Sequence, residues 1–400
     1  MSLFDHVKTF PPDPLFGIGA LYRSDARPDK VDLTIGVYRN DALKVAVMKA
    51  VKQAERLLVE KETTKSYLPQ VGKANFIEES KTLLFGDRFV ADHGERIFGA
   101  QSVGGTGALR VGAEFLAREI SKRVFLSNLT WANHHGVFSC CNIEKGKYPY
   151  YDKEKGAFLC DQFLDFLGTL PEKSVVVLHT CCHNPTGCDP TREEWKAIEK
   201  TIAKQKLIPF FDTAYLGFAK SLEEDSWAVR YFAEQGHELF VALSFSKSFS
   251  LYAERIGAFF ILAQGKEESA RVGSVVKRLI RINYSNPPLH GAAVVSAILQ
   301  DKTLRKMWEE ELVEMRQRVE LMRTSFLDEV AAQLGSDAFE YLRKRVGMFA
   351  LLPLTEGQVE HLMNKRGIYM TKNGRINLTG LNATNLNRVT QAIVETCKEG

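Results

Sequence analysis

The sequence predicts an α/β protein in which a large, doubly wound and mostly parallel sheet is joined to a smaller α+β module. Two observations support this prediction. Short apolar runs alternate with helical stretches such as residues 191–205, as parallel strands with crossover helices require. Beyond a long, charged and periodic stretch at residues 304–330, which indicates one helix, the chain shows only short strand patterns, and these indicate a separate module.

The composition is that of an ordinary globular protein. The chain has 400 residues, enough for two domains, of which 45% are apolar and 26% are charged. Its net charge of +4 gives no reason to expect nucleic acid or an acidic membrane as a partner, and no apolar run is long enough to span a bilayer. Seven cysteines without a repeated Cys-x-x-Cys pattern favour free thiols, and the first residues lack a secretory or transit pattern, so we expect a cytoplasmic protein.

The N-terminal part contains a proline-rich segment, an interrupted strand and a helix. Residues 1–14 are polar and rich in proline, so we expect an extended arm rather than part of the core. A short strand is predicted at residues 31–38, where Gly36 indicates either close approach of the backbone to a ligand or another chain, or a simple bulge. The pattern at residues 45–60 predicts a helix.

A glycine-rich turn at residues 102–110 opens a predicted helix that runs to about residue 120. The N-terminus of a helix offers unpaired N–H groups and the positive end of the helix dipole, which suit a phosphate at Gly105 and Thr106. The spacing fits neither the dinucleotide fingerprint nor the P-loop. A tight turn that packs the helix against the sheet explains the glycines equally well.

Four apolar runs indicate buried parallel strands, at residues 123–126, 175–179, 207–211 and 239–243. Each run ends in polar residues, and in open α/β sheets ligands bind outside the carboxyl ends of the strands. We therefore expect a binding site along this edge. The strand ends bring to it Trp131, Asn184, Asp212 with Tyr215, and Lys247.

Two other interpretations are less well supported. Histidines and cysteines between His179 and Cys188 invite a metal site, but strand alternation sends neighbouring side chains to opposite faces and the usual ligand spacing is missing, so no metal is predicted. Basic residues between Arg271 and Arg281 could form a nucleic-acid patch, yet the cluster is short and the chain nearly neutral. A solvated helix face explains most of this cluster.

The C-terminal module is predicted from three short strand patterns and one helix. The strands are expected at residues 349–352, 368–370 and 375–378, and the helix from about residue 385.

Five motifs resemble, in family order, those of the class I aspartate aminotransferases, which are pyridoxal-phosphate enzymes. They are Thr-Trp-Ala-Asn-His at 130–134, His-Asn-Pro-Thr-Gly at 183–187, Asp-Thr-Ala-Tyr at 212–215, Ser-Phe-Ser-Lys at 244–247 with Arg255 downstream, and Gly-Arg-Ile-Asn-Leu at 374–378. The resemblance covers about residues 14–396. It implies fold type I of these enzymes, with an N-terminal arm at 1–14, a small α+β domain from 15–45 and 315–400, and a large cofactor-binding α/β domain at 46–314.

The resemblance also implies a catalytic centre that holds pyridoxal 5'-phosphate. Lys247 would bind the cofactor covalently and then move the substrate's α-proton as general base and acid. Asp212 would pair with the ring nitrogen, so that the ring can act as an electron sink. The other implied ring contacts are Tyr215 and Asn184 at the phenolic oxygen, Trp131 against the ring face, and His134 supporting Asp212 from behind.

The cofactor phosphate is expected, from the same resemblance, at the glycine-rich turn and at the end of the Lys247 strand. Its implied ligands are Gly105 and Thr106, Ser244 and Arg255, and Tyr67 from a neighbouring subunit. The last of these makes the active site a property of a homodimer, in which the N-terminal arm would embrace the partner.

Substrate binding is expected to depend on two arginines. Arg375 resembles the family residue that binds the α-carboxylate in a bidentate fork, a geometry that lysine cannot reproduce, with Gly36, Asn184 and Trp131 nearby. Arg281 resembles the residue that crosses the dimer interface to bind the distal carboxylate of a dicarboxylic substrate. The resemblance therefore implies dicarboxylic amino acids and keto acids as substrates.

One position departs from the family pattern. Gly104 stands where the family usually has serine, just before Gly105 and Thr106. A hydroxyl donor to the phosphate is thereby lost, so cofactor retention is expected to weaken by about one neutral hydrogen bond.

The leading hypothesis from the sequence is an aspartate:2-oxoglutarate aminotransferase that works by a ping-pong mechanism. An aromatic or broad-specificity aminotransferase stays open, because some relatives keep both arginines and still accept aromatic substrates. A pyridoxal-phosphate enzyme of another reaction type, such as β-decarboxylation or β-elimination, is a further alternative. A non-catalytic protein that binds a phosphate-bearing metabolite at the glycine turn is the alternative from a different class.

Overall fold

The computed structural model describes residues 2–9, 14–335 and 339–399 of the chain. Its strands are numbered in chain order. They are β1 Val31–Asp32, β2 Ile97–Val103, β3 Arg123–Ser127, β4 Glu144–Tyr148, β5 Tyr151–Asp152, β6 Ala157–Phe158, β7 Val175–His179, β8 Ile208–Thr213, β9 Leu239–Ser244, β10 Ile256–Leu262, β11 Phe349–Leu351, β12 Ile368–Tyr369 and β13 Arg375–Asn377.

The α-helices pack around these strands. They are α1 Pro14–Ser24, α2 Lys49–Lys61, α3 Ala74–Phe85, α4 Asp87–His93, α5 Gly104–Glu119, α6 Asn133–Ser139, α7 Cys160–Thr169, α8 Arg192–Lys204, α9 Leu222–Glu234, α10 Lys266–Asn283, α11 His290–Gln300, α12 Lys302–Leu334, α13 Glu356–Arg366 and α14 Leu386–Glu399. Single 3₁₀ turns lie at Gly94–Arg96, Glu340–Lys344 and Leu378–Gly380. In the described parts of the chain, no helix combines the length and hydropathy needed to cross a bilayer.

The main sheet has seven strands in the order β2-β10-β9-β8-β7-β3-β4. Neighbours from β9 to β4 run parallel, whereas β10 runs antiparallel to both β9 and β2. The predicted fold class is therefore confirmed. The four strands expected from the apolar runs correspond to β3, β7, β8 and β9, whereas β2, β4 and β10 were not predicted.

Both faces of this sheet are buried, which explains the continuous apolar runs. Successive residues of β7 belong to two different hydrophobic clusters: Val175 and Val177 to one, and Val176 and Leu178 to the other. Because side chains alternate across a strand, each cluster lies on one face of the sheet. Helices cover both faces, as a doubly wound fold requires.

The antiparallel direction of β10 determines where its first residues lie. Gly257 pairs with Ser244 at the carboxyl end of β9, and Ile256 pairs with Val103 at the carboxyl end of β2. This pairing brings two further groups to the same edge as Lys247. They are Arg255, which immediately precedes β10, and the start of α5, which immediately follows β2. The sheet collects six chain segments at this edge, which follow β2, β3, β7, β8 and β9 or precede β10.

The predicted strand at residues 31–38 is wrong beyond Asp32. Only Val31 and Asp32 form β1, which pairs in parallel with β12. The backbone that follows is held by side chains of β13 instead: Arg375 Nη2 donates to Thr34 O at 2.7 Å, and Asn377 Nδ2 donates to Ile35 O at 2.6 Å. These side-chain bonds occupy carbonyls that a longer strand would have paired.

The ends of the chain form a smaller group of strands beside the main sheet. β11 pairs antiparallel with β13, and the helix expected at residues 304–330 is α12, Lys302–Leu334. Of the predicted arm, residues 2–9 are exposed and contain a turn at 3–6, so they are not extended throughout, while residues 1 and 10–13 lie outside the described residues. The division into domains at 1–14, 15–45 with 315–400, and 46–314 stays a prediction.

Candidate active site

A cavity of about 220 Å³ lies at the carboxyl ends of β7, β8 and β9. It brings together most of the side chains that the sequence singled out. Its lining includes Gly36, Gly105, Thr106, Trp131, Asn184, Asp212, Tyr215, Ser244, Lys247, Arg255 and Arg375.

Lys247 follows β9 and is partly buried inside the cavity. Burial lowers the pKa of its amine to about 8; the nearby Asp212 carboxylate opposes this shift, and the charges of Arg255 and Arg375 add to it. Its Nζ lies 5.0 Å from the centroid of the Tyr215 ring. The lysine therefore has an appreciable neutral fraction near pH 7, and a neutral amine is the form that reacts with a carbonyl carbon.

Asp212, near the end of β8, is a buried carboxylate that is kept ionised. Burial by itself raises its pKa, but the hydrogen bond from His134 and the charges around it outweigh that effect, so the pKa lies below its usual value. His134 Nε2 is 3.0 Å from Asp212 Oδ2, and His134 Nδ1 is 2.8 Å from Thr130 Oγ1. With the threonine hydroxyl donating to Nδ1, a neutral His134 carries its proton on Nε2 and donates it to the carboxylate.

His179 is a cavity residue that the sequence singled out only as a possible metal ligand. It is buried, and neither ring nitrogen has a hydrogen-bond partner among the described residues. Burial lowers its pKa to about 4, so the ring is neutral, and its Nε2 lies 3.9 Å from Asp212 Oδ2. The signal that could have identified His179 as a cavity residue was its position at the end of β7, where it pairs with Asp212 of β8.

The atoms of His134, His179 and Asp212 that could bind a metal lie within 4.8 Å of one another. Both ring nitrogens of His134 are already engaged, one by Thr130 and one by Asp212. Thr130, His134 and Asp212 therefore form a chain of hydrogen bonds, in which His179 takes no part. That the site uses no metal stays a prediction.

The part of the cavity lined by Gly105, Thr106, Ser244 and Arg255 can accept an anion. Gly105 and Thr106 lie in the first turn of α5, where backbone N–H groups have no partner within the helix. A Cβ at Gly105 would lie 2.9 Å from Ser244 Cβ, so only glycine allows this turn to approach the end of β9. Arg255 Nη1 lies 3.4 Å from Ser246 Oγ. Ser246 was not predicted as a site residue, although it stands two positions after Ser244.

Arg375 is a buried guanidinium whose protein partners carry no charge. Its Nη1 donates to Asn184 Oδ1 at 3.0 Å and its Nη2 donates to Thr34 O at 2.7 Å, while its Nε has no partner among the described residues. The guanidinium lies 4.2 Å from the centroid of the Phe349 ring, which also lines the cavity and was not predicted. An uncompensated buried cation with a free donor is suited to a carboxylate ligand.

Tyr215 and Trp131 complete the walls of the cavity. Burial raises the pKa of Tyr215, so its phenol stays protonated and can donate a hydrogen bond. Trp131, just before α6, packs edge-on against His134 with the ring centroids 5.4 Å apart. An aromatic face and a phenolic donor are thus available beside Lys247.

Apart from His134, which lies behind Asp212, two predicted site residues do not line this cavity. Tyr67 is 93% exposed, and Arg281 is exposed near the end of α10, where its Nη1 donates to Ser285 Oγ. Both were assigned by the sequence to the site of a partner subunit. Their roles stay predictions.

Comparison with known proteins identifies the family of the chain. Residues 28–393 match the family described as aminotransferase class I and II. The aspartate aminotransferase of Pseudomonas aeruginosa is 43% identical over 396 residues, which cover 99% of this chain and 100% of the relative.

Solved structures agree with this match. An aromatic-amino-acid aminotransferase from Burkholderia pseudomallei, covalently bound to pyridoxal phosphate, is 41% identical with a TM-score of 0.95 and covers 99% of this chain and 100% of the other. A psychrophilic aromatic amino acid aminotransferase from Psychrobacter sp. B6, cocrystallised with aspartic acid, is 38% identical with a TM-score of 0.96 and covers 99% and 100% of the two chains. The chain therefore belongs to the class I and II aminotransferase family.

Proposed function

We propose that this chain is an aspartate aminotransferase, which transfers an amino group reversibly between L-aspartate and 2-oxoglutarate to give oxaloacetate and L-glutamate. The proposal rests mainly on the cavity, in which a lysine of lowered pKa shares the lining with an ionised carboxylate and with the buried, uncompensated cation of Arg375. A relative 43% identical over nearly its full length is an aspartate aminotransferase. An enzyme of this family is not a passive metabolite-binding protein.

The cofactor is pyridoxal phosphate, which a structural neighbour 41% identical to this chain holds covalently. When bound, it supplies a carbonyl carbon that carries the amino group and a ring that accepts electron density. The residues of the cavity fit it. Asp212 would pair with the ring nitrogen, Tyr215 and Asn184 would donate to the phenolic oxygen, and Trp131 would cover one ring face. The first turn of α5, with Ser244 and Arg255, would hold the phosphate.

Lys247 has two tasks in this scheme. Its amine would hold the cofactor between turnovers, and during turnover its Nζ would take the proton from the α-carbon of the substrate and pass it to the cofactor. Asp212 keeps a proton on the ring nitrogen because its own pKa is held low by His134. The same groups act in both half-reactions, since the second is the reverse of the first with another keto acid.

Substrate recognition follows from the two arginines. Arg375 has a free Nε donor and is placed to bind the α-carboxylate common to all amino acids. Selection for a second carboxylate would come from Arg281 of the other subunit. Gly36 and Asn184 line the same cavity as Arg375 and would assist it. With both arginines, the site would take dicarboxylic amino acids and keto acids.

The visible absorption spectrum tests the proposed function. The protein reconstituted with pyridoxal phosphate is expected to lose its yellow absorption band when aspartate is added without a keto acid, and to regain the band with 2-oxoglutarate. An unchanged spectrum would contradict the proposal.

The second candidate function is that of an aromatic or broad-specificity aminotransferase, because two similar solved structures are aromatic amino acid aminotransferases. The same spectral measurement with phenylalanine distinguishes the two functions. If phenylalanine discharges the band as fast as aspartate does, the enzyme has broad specificity. Much slower discharge would identify an enzyme selective for dicarboxylates.

We further propose a homodimer with shared active sites. Tyr67 and Arg281 are exposed and do not line the cavity of their own chain, so the roles expected from the resemblance require a second chain. Both residues would then act in the partner's site.

Mixed dimers test whether the sites are shared. Lys247→Ala and Arg281→Ala homodimers are each expected to be nearly inactive with aspartate. A hybrid with one chain of each kind contains one site that is intact in both residues, so unfolding and refolding an equal mixture should restore about a quarter of the wild-type activity. If Arg281 serves its own chain instead, every site in the hybrid carries one defect, and no activity returns.

A cytoplasmic location is also proposed. All seven cysteines are free, as expected in a reducing compartment.

A further inference from the structure

Gly104, the first residue of α5, lies directly against the guanidinium of Arg255. Its φ of +67° is in the left-handed region, which residues with a side chain rarely adopt. A Cβ at this position would lie 2.6 Å from Arg255 Nη2 and 3.0 Å from Arg255 Cζ. Non-bonded heavy atoms normally pack at about 3.5–4.0 Å. Any side chain at position 104 would therefore displace the guanidinium from its present place.

The close contact is part of a joint between α5 and β10. A Cβ at Gly257 would lie 2.6 Å from the carbonyl carbon of Gly104, so the two backbones touch at this point. Arg255, two residues before Gly257, also has a positive φ, of 52°. The guanidinium thus lies against the first residue of the helix.

The charge of Arg255 is not neutralised by the groups that hold it. Its Nη1 donates to Tyr252 O at 3.1 Å and approaches Ser246 Oγ at 3.4 Å, and both acceptors are uncharged. The N-terminus of α5 adds the positive end of a helix dipole to the same place. The guanidinium and the free N–H groups of the helix can then bind one anion together.

We infer that Gly104 is a positioning residue, which lets Arg255 lie close enough to α5 for the guanidinium and the helix N-terminus to share the cofactor phosphate. The inference rests on the proposed function, because the phosphate is that of pyridoxal phosphate. It reverses the expectation from the sequence alone, which treated Gly104 as the loss of a serine hydroxyl. In this structure a serine at position 104 would add a hydroxyl but would move the guanidinium of Arg255 away from the first turn of α5.

Phosphate binding to the apoprotein tests the inference without any turnover. By titration calorimetry with inorganic phosphate, Gly104→Ala and Gly104→Ser are expected to bind about tenfold more weakly than the parent chain, as for the loss of a hydrogen bond from a charged group. In an Arg255→Gln background, Gly104→Ala should change the affinity by less than about twofold, because no guanidinium remains to be displaced. Thermal unfolding of each apoprotein measures the backbone strain separately.

Three results would overturn the inference. The first is phosphate binding by Gly104→Ser that is as tight as that of the parent chain, or tighter. The second is an equal weakening by Gly104→Ala with and without Arg255, which would assign the effect to backbone strain. The third is a parent apoprotein that does not bind phosphate. None of these results depends on amino acids, so a failure here is distinct from a failure of the spectral test with aspartate.

Discussion

Replacing Lys247 with alanine is expected to lower kcat for aspartate by about 10⁴-fold, the upper end of the contribution of general acid–base catalysis. The reason is that its Nζ is the amine at the centre of the cavity, with a pKa lowered to about 8. Borohydride reduction followed by mass spectrometry of the denatured chain provides a second measurement. The wild-type chain should gain the mass of the reduced cofactor, and the Lys247→Ala chain should not.

Lys200→Ala is the matched control for this substitution, because Lys200 is exposed on α8 and does not line the cavity. It should keep both the activity and the covalent label. Retention of the label by the Lys247→Ala chain would show that another amine holds the cofactor, and the assignment of Lys247 would be wrong.

Replacing Arg375 with lysine is expected to lower kcat/KM for aspartate by about 10³-fold, which corresponds to about 4 kcal/mol. A lysine can supply the charge but not the planar fork, and it would leave the oxygens of Asn184 and Thr34 without their present donors. Phenylalanine should lose a similar factor, since it has the same α-carboxylate. Steady-state kinetics with both amino acids measures the two losses.

The pattern across substrates identifies the role of each arginine. Arg281→Ala should impair aspartate but spare phenylalanine, whereas Arg375→Lys should impair both. Arg271→Lys, at an exposed position of α10, is the control and should change neither. If Arg375→Lys impaired aspartate alone, Arg375 would bind the distal carboxylate, and the assignments of the two arginines would have to be exchanged.

The sequence predicted the cavity better than it predicted the sheet. An apolar run that ends in polar residues indicates the end of a strand, and this signal located Asp212, Asn184 and Lys247 without reference to pairing. The direction and neighbours of a strand depend on contacts between distant segments, so β10 was missed although all seven of its residues are buried. Its antiparallel course, which brings Arg255 to the cavity, has no local signal in the sequence.

Phe349 was missed for the same reason. Phe349 reaches the cavity because β11 pairs with β13, where Phe349 lies opposite Asn377. His179 lies at the end of a predicted strand, but its neighbours in the chain suggested metal ligation instead. Tyr67 and Arg281 were assigned by family resemblance alone, and their proposed tasks lie on another chain.

The pairing of β1 with β12 has a consequence for how the protein is made. Val31 lies beside Ile368, and Leu33 O accepts a hydrogen bond from Asn377 N at 2.8 Å, so the partners are separated by more than 330 residues of chain. During synthesis the first segment must wait, unpaired, until nearly all of the remaining residues have left the ribosome. The strands of the main sheet, from β2 to β10, can assemble earlier. The part of the cavity lined by Arg375 is therefore completed last, and a nascent chain gains its catalytic competence only at the end of folding.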